Sequence, residues 1–118
     1  MDELAKVFES VADYFALLSE PARLRILHAL CDAELPVSDI VERTGLSQAN
    51  TSRHLNMLYR ARIVDRRREG SQVFYWISDT NFKDMCRTVY VAIAARSDVD
   101  QPRRATLRRL EAELAGRD

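Results

Sequence analysis

Apolar residues return at helical spacing from the start of the chain. Leu4, Val7, Phe8, Val11, Phe15 and Leu18 mark one face of an amphipathic helix over about residues 2–18. Ser19 then offers an N-cap, with Glu20 and Pro21 in a first turn that accepts an acid and a proline. A second helix is expected over about 20–32, with Leu24, Leu27, Leu30 and Cys31 on its buried side. Pro36 restarts the chain, and Val37, Ile40 and Val41 give a short third helix. Gly45 stands where that helix needs a left-handed cap, and Leu46 is expected to make a core contact within the turn.

Ser47 caps the next expected helix, about 48–60, whose apolar positions Leu55 and Leu58 come late. Its opening turns, Gln48-Ala49-Asn50-Thr51-Ser52-Arg53, are short and polar. Two β-like segments follow, Ile63 to Arg68 and the aromatic, β-branched run Val73-Phe74-Tyr75-Trp76-Ile77. Glu69-Gly70-Ser71-Gln72 joins them as a hairpin connection in which Gly70 can supply a positive φ. Asp79 or Thr80 is expected to cap a helix over about 80–96, striped by Phe82, Met85, Cys86, Val89, Tyr90 and Ile93. A last helix beyond Pro102 carries Leu107, Leu110 and Leu114. The expected fold is mostly helical with a β-hairpin wing: two helices, a short helix, a helix, two strands and two helices.

Length changes the picture only by limiting it. The 118 residues suit one compact domain, 1–118, and the apolar fraction of 47% suits a globular chain rather than a disordered one. No apolar run approaches the ~18 residues of a membrane span, and the acidic, amphipathic start is unlike a signal peptide. A cytoplasmic protein without a membrane partner is the expectation, and its two cysteines, Cys31 and Cys86, would then be free thiols.

Charge matters more. The net charge is zero, but residues 1–42 hold nine acids against three bases, whereas residues 43–70 hold seven arginines against Asp65 and Glu69. One basic block in a neutral chain reads as an electrostatic footprint on one face. Taken alone it could be a solvated charge run. It coincides, however, with a short helix, a glycine turn, a polar-fronted helix and a basic hairpin, which together describe a winged helix-turn-helix.

The chemistry of that arrangement is DNA recognition. A helix entering the major groove by its N-terminal turns needs short side chains for close approach and amide or guanidinium groups for base edges. Gln48 suits adenine, Arg53 suits guanine or phosphate, and Ser47, Ala49, Asn50 and Ser52 permit approach. Hairpin residues Arg66, Arg67, Arg68, Gly70, Ser71 and Gln72 suit the adjacent backbone or minor groove. Strand alternation puts Arg66 and Arg68 on one face and Arg67 on the other, so all three cannot contact DNA equally. No nucleophile–base pair or phosphate loop is visible, and no enzyme is expected.

Three segments resemble the ArsR/SmtB family of winged helix-turn-helix repressors. Leu18 to Leu27 resembles the opening of the family's second helix, Leu46 to Leu55 its recognition helix, and Gly70 to Tyr75 its wing. The resemblance covers about residues 4–96. It implies a homodimer built on the helices at about 2–18 and 80–115, bound as a repressor to an inverted-repeat operator in double-stranded DNA and released by an inducer that the sequence does not name. It does not settle repression against activation. One departure is Arg62, where the family commonly has glycine after the recognition helix. A left-handed non-glycine residue costs of order 1 kcal/mol, so the helix end is expected to differ in shape.

The resemblance also says what is missing. The family's thiolate pair near the third helix falls on Pro36 and Ser38, and soft metals need thiolates. Its zinc site draws histidines from the helix after the wing, and Asp79 to Arg96 contains none, so neither metal nor cofactor is expected. A third branch pairs two cysteines as a thiol sensor, at positions that hold His28 and Ala94 here. Cys31 and Cys86 are displaced from them, both lie on apolar stripes, and they read first as small packing groups. The alternatives to a plain repressor are a redox, persulfide or metalloid sensor using Cys31 and Cys86, or a dimeric interaction module with a vestigial winged helix. The polar front of the helix at 48–60 argues against the last.

Overall fold

The computed structural model describes residues 2–115, in two compact units divided between Ser78 and Asp79. The first unit contains α1 (Glu3–Leu18), α2 (Pro21–Leu30), β1 (Leu35–Pro36), α3 (Val37–Thr44), α4 (Gln48–Arg60), β2 (Val64–Glu69) and β3 (Gln72–Ile77). The second contains α5 (Phe82–Ala94) and α6 (Gln101–Ala115). It is a mostly helical winged helix-turn-helix fold with a small antiparallel sheet.

Caps account for most of the helix boundaries. Asp2 accepts from the Ala5 amide at 2.7 Å and starts α1. Ser19 ends that helix rather than opening the next, its amide and hydroxyl both donating to the Ala16 carbonyl. Glu20 caps α2 instead, accepting from the Ala22 amide at 3.2 Å, because Pro21 occupies the first helical position and holds the residue before it in extended backbone. Gly45 ends α3 at φ 73, as its position in the sequence suggests. α5 begins later than expected, at Phe82, because Asp79 spends its carboxylate on the Asn81 amide in a turn ahead of the helix.

The core of the first unit is Ile26, Leu27 and Leu30 of α2, Ile40 of α3, Leu55 and Leu58 of α4, and Ile63, Val64 and Tyr75 beside and within the sheet. Leu24, expected inside, is 38% exposed, because Ile26 takes its place in the buried set of α2. Leu46 is half-buried. Along α1 no residue is buried, and Leu4, Val7, Phe8, Val11 and Phe15 are all exposed.

The sheet has one strand more than the hairpin expected from sequence. Its order is β1-β3-β2, with Leu35 opposite Tyr75 and Pro36 opposite Phe74. β2 and β3 pair in register from Val64↔Ile77 to Glu69↔Gln72, leaving Gly70-Ser71 as a two-residue loop. Gly70 takes φ 63 at its first position, which suits the twist of the two strands. In the second unit, α5 and α6 pack as a pair, and Phe82, Cys86, Ala94, Val99 and Leu114 are its buried residues. Arg104 ties the pair, donating to the Ala94 and Arg96 carbonyls at 2.8 and 2.9 Å at the end of α5. Among the described residues no helix is long and apolar enough to cross a membrane.

Candidate nucleic-acid interface

The opening of α4 is held by Ser47, whose hydroxyl accepts from the Asn50 amide at 3.1 Å and whose carbonyl accepts from the Thr51 amide at 2.9 Å. Thr51, His54, Leu55 and Leu58 form its buried side. Ala49, Ser52, Arg53 and Asn56 recur at the i, i+3, i+4, i+7 spacing and so share the opposite side, with Gln48 in the first turn beside them. Gln48, Ala49, Asn50, Arg53 and Asn56 are exposed and Ser52 is half-buried. Arg53 donates to the Asn50 side chain at 3.2 Å, so the guanidinium and amide stand ready as one polar unit at the front of the helix. Asn56 was not singled out from sequence. Its signal was the same helical spacing, carried one turn past Arg53.

The depth at which α4 lies is set from behind. Arg23 on α2 donates to the Leu17 and Ala16 carbonyls at 2.7 and 3.1 Å, closing the end of α1. The same guanidinium reaches α4 at His54 Nδ1, 3.5 Å away, and Met57 Sδ, 3.4 Å away. A guanidinium can only donate, so Nδ1 of His54 is the unprotonated ring nitrogen in this contact. Burial, then Arg53 and Arg23, hold the His54 pKa below its ordinary value, against a smaller opposing pull from Glu20. Thr44 locks the turn between α3 and α4: its hydroxyl donates to the Ile40 carbonyl at 2.8 Å and accepts from the Leu46 amide at 3.4 Å.

Three consecutive arginines on β2 have three different surroundings. Arg66 lies with its guanidinium 3.9 Å above the Tyr59 ring of α4, donates to Asn56 Oδ1 at 3.0 Å, and donates to the hydroxyl of Tyr75, its cross-strand partner, at 3.3 Å. The Tyr75 hydrogen bond raises the Arg66 pKa further. Arg67, on the other face, lies over the Phe74 ring and pairs with Glu34 and with Glu69, the latter at 2.9 Å. Arg68 is exposed, and of the three it alone has neither a side-chain hydrogen bond nor an ion pair among the described residues. Gly70, Ser71 and Gln72 are exposed at the tip of the hairpin. The structure thus places Ser47, Gln48, Ala49, Asn50, Ser52 and Arg53 on one helix front, and Arg68, Gly70, Ser71 and Gln72 on an open hairpin. Arg67 is tied to carboxylates beside it.

The helix end after α4 has the shape that glycine would give. The Ile63 amide donates to the Leu58 carbonyl and the Arg62 amide to the Tyr59 carbonyl, both at 3.0 Å, with Arg62 at φ 64. This is a Schellman closure with arginine in the left-handed position. The expected change of shape does not occur: the two amide–carbonyl bonds hold the turn and the arginine accepts the strain.

Cys86 lacks the surroundings of a reactive thiolate. Cys31 is half-buried at the end of α2. Cys86 is buried in α5, and burial pushes its thiol up to about 11, against a smaller opposing effect of the Tyr90 hydrogen bond. At neutral pH it stays protonated and weakly nucleophilic. Among the described residues no group of three or more His, Cys, Asp or Glu side chains could hold a metal ion.

Residues 20–66 match the family described as bacterial regulatory protein, arsR family. The transcriptional activator HlyU of Vibrio cholerae is 33% identical over 90 residues, covering 76% of this chain and 83% of that protein. The chain belongs to the ArsR family. It is one of DNA-binding transcription regulators, not of enzymes. This ArsR-family chain is also 33% identical over 81 residues to the transcriptional repressor SmtB homologue of Synechocystis, covering 69% of the chain and 61% of that relative. The chain spans about three-fifths of the length of several of the curated relatives it matches. Among solved structures, the homodimeric winged helix-turn-helix DNA-binding domain Mb0332 of Mycobacterium bovis superposes with a TM-score of 0.69 at 29% identity, covering 79% of this chain and 86% of that one.

Proposed function

We propose that this chain is a homodimeric, sequence-specific repressor that binds an inverted-repeat operator in double-stranded DNA and is released by an inducer of unspecified chemistry. The observation that carries the reading is the division of α4. One side is buried in the core, and the other presents Gln48, Ala49, Ser52, Arg53 and Asn56 to solvent on a helix capped by Ser47. An amide and a guanidinium on a rigid, shallow helix front match the donor and acceptor pattern of base edges in the major groove. Gln48 and Arg53 read bases. Ser47, Ala49, Asn50 and Ser52 permit close approach, and Arg68 with Gly70, Ser71 and Gln72 meets the neighbouring backbone. Arg67 joins them only by exchanging Glu34 and Glu69 for phosphate.

Two features favour a dimer. The exposed row Leu4, Val7, Phe8, Val11 and Phe15 gives α1 a continuous apolar face, and Val89 and Val91 are exposed on α5. Single exposed apolar residues are ordinary, but a contiguous helix face of this length is an interaction surface. The Mycobacterium bovis relative is a homodimer. In this reading residues 1–118 act as one DNA-binding domain with dimerising helices at about 2–18 and 80–115. The relatives include both a repressor and an activator. Repression is the simpler mechanism, since occupying the operator is enough.

The test is selection of duplexes from a random library by the purified chain. An imperfect inverted repeat, bound by two chains with half-sites about one helical turn apart, is the expected product. Recovery of no common sequence would contradict the reading.

A further inference from the structure

Arg66 is the basic residue of the hairpin whose guanidinium, though exposed, reaches across to α4. Its guanidinium meets three side chains from two other elements: the Tyr59 ring at 3.9 Å and the Asn56 amide oxygen at 3.0 Å on α4, and the Tyr75 hydroxyl at 3.3 Å on β3. Between α4 and β2 the backbone link is short, a single Schellman turn at Arg62. That link joins the helix and the hairpin at one end and leaves their angle to side chains. The Arg66 contacts close the other side of the wedge.

We propose that Arg66 is a positioning residue, bracing the wing against α4 and thereby setting which operator half-site geometry the two can engage together. This rests on the reading of α4 as the helix that enters DNA. The chemistry selects arginine in particular. A planar guanidinium stacks on one ring while donating in its own plane to two oxygens, whereas a lysine ammonium can donate but cannot stack in that way. Tyr75 is 5% exposed, so its hydroxyl acts from within the fold and not on a ligand. If the brace opens, Arg68, Gly70 and Ser71 move relative to Gln48 and Arg53. The phosphate contacts then no longer hold the register in which the base contacts form.

The experiment compares wild type with Arg66→Lys, Arg66→Ala and Tyr75→Phe, each checked by thermal melt. Trp76 is the chain's one tryptophan and sits on β3 next to Tyr75, so its time-resolved anisotropy reports wing motion without DNA. Faster local motion is expected in both Arg66→Lys and Tyr75→Phe. On DNA, the preference for operator over scrambled duplex should fall by about tenfold in both, equivalent to about 1.4 kcal/mol, with an unchanged salt slope. Should Arg66→Ala fail to fold, the lysine and phenylalanine variants still decide. Wild-type mobility and preference in Arg66→Lys would overturn the proposal. So would a salt slope reduced by about one in Arg66→Ala with the preference intact, since that is the signature of a phosphate ligand. A wild-type chain that shows no preference between duplexes would overturn the DNA reading itself, while the anisotropy would still report whether the brace exists.

Discussion

A left-handed arginine closes α4, and the strain it carries is measurable. Arg62 sits at φ 64 with both Schellman hydrogen bonds formed, so the backbone there already has the geometry that glycine adopts without steric cost. Arg62→Gly should therefore raise stability, by up to about 1 kcal/mol, offset in part by the greater freedom glycine has in the unfolded chain. The check is a denaturant titration, and a lower midpoint for the glycine variant would show that the arginine side chain contributes more than its backbone costs. His54 is the other residue whose environment sets a testable behaviour. Its folded pKa lies below the unfolded value of about 6.5 because burial and the neighbouring Arg53 and Arg23 disfavour the imidazolium. The unfolded chain then binds the proton more readily than the folded one. The contribution to stability is complete above about pH 6.5 and is lost as pH falls through the folded pKa. Melts between pH 7.5 and 5.5 should show a steeper loss in wild type than in His54→Gln. A parallel pH dependence in the two would mean that His54 is not the titrating group.

At the level of elements, what could be read from the sequence was what is local. The apolar rows at helical spacing, the cap at Ser47, the glycines at 45 and 70 and the aromatic strand 72–77 all carry their own signals within a few residues. The strand Leu35–Pro36 carries none, because two residues become a strand only by pairing with Tyr75 and Phe74 from far along the chain. The roles of Arg66 and Arg67 were hidden for the same reason. Alternation along β2 placed them on opposite faces, but only the folded sheet brings Arg67 to Glu34 and Arg66 to Asn56 and Tyr59. The cap of α2 lies one residue beyond the serine that the sequence offers: Pro21 at the first helical position makes the preceding Glu20 the cap, and Ser19 belongs to the helix before.

For the whole molecule, the unpartnered face of α1 makes the assembly state decisive. Leu4 and Phe8 are 67% and 64% exposed, and a dimer would remove them from water together with Val7, Val11 and Phe15. Sedimentation at micromolar concentration should give twice the chain mass for wild type and the single mass for Phe8→Glu, with the helical content retained. A monomeric wild type would contradict the two-half-site arrangement. The central claim, that α4 reads sequence while the wing supplies backbone contact, is tested most directly by salt titrations of Gln48→Ala, Arg53→Ala and Arg68→Ala on the selected operator and on a scrambled duplex. Gln48→Ala and Arg53→Ala should lose about 1–3 kcal/mol on the operator and little on the scrambled duplex. Arg68→Ala should lose a similar factor on both, with a salt slope smaller by about one. Equal losses on the two duplexes for Gln48→Ala and Arg53→Ala would contradict the claim, leaving a helix that touches DNA without reading it.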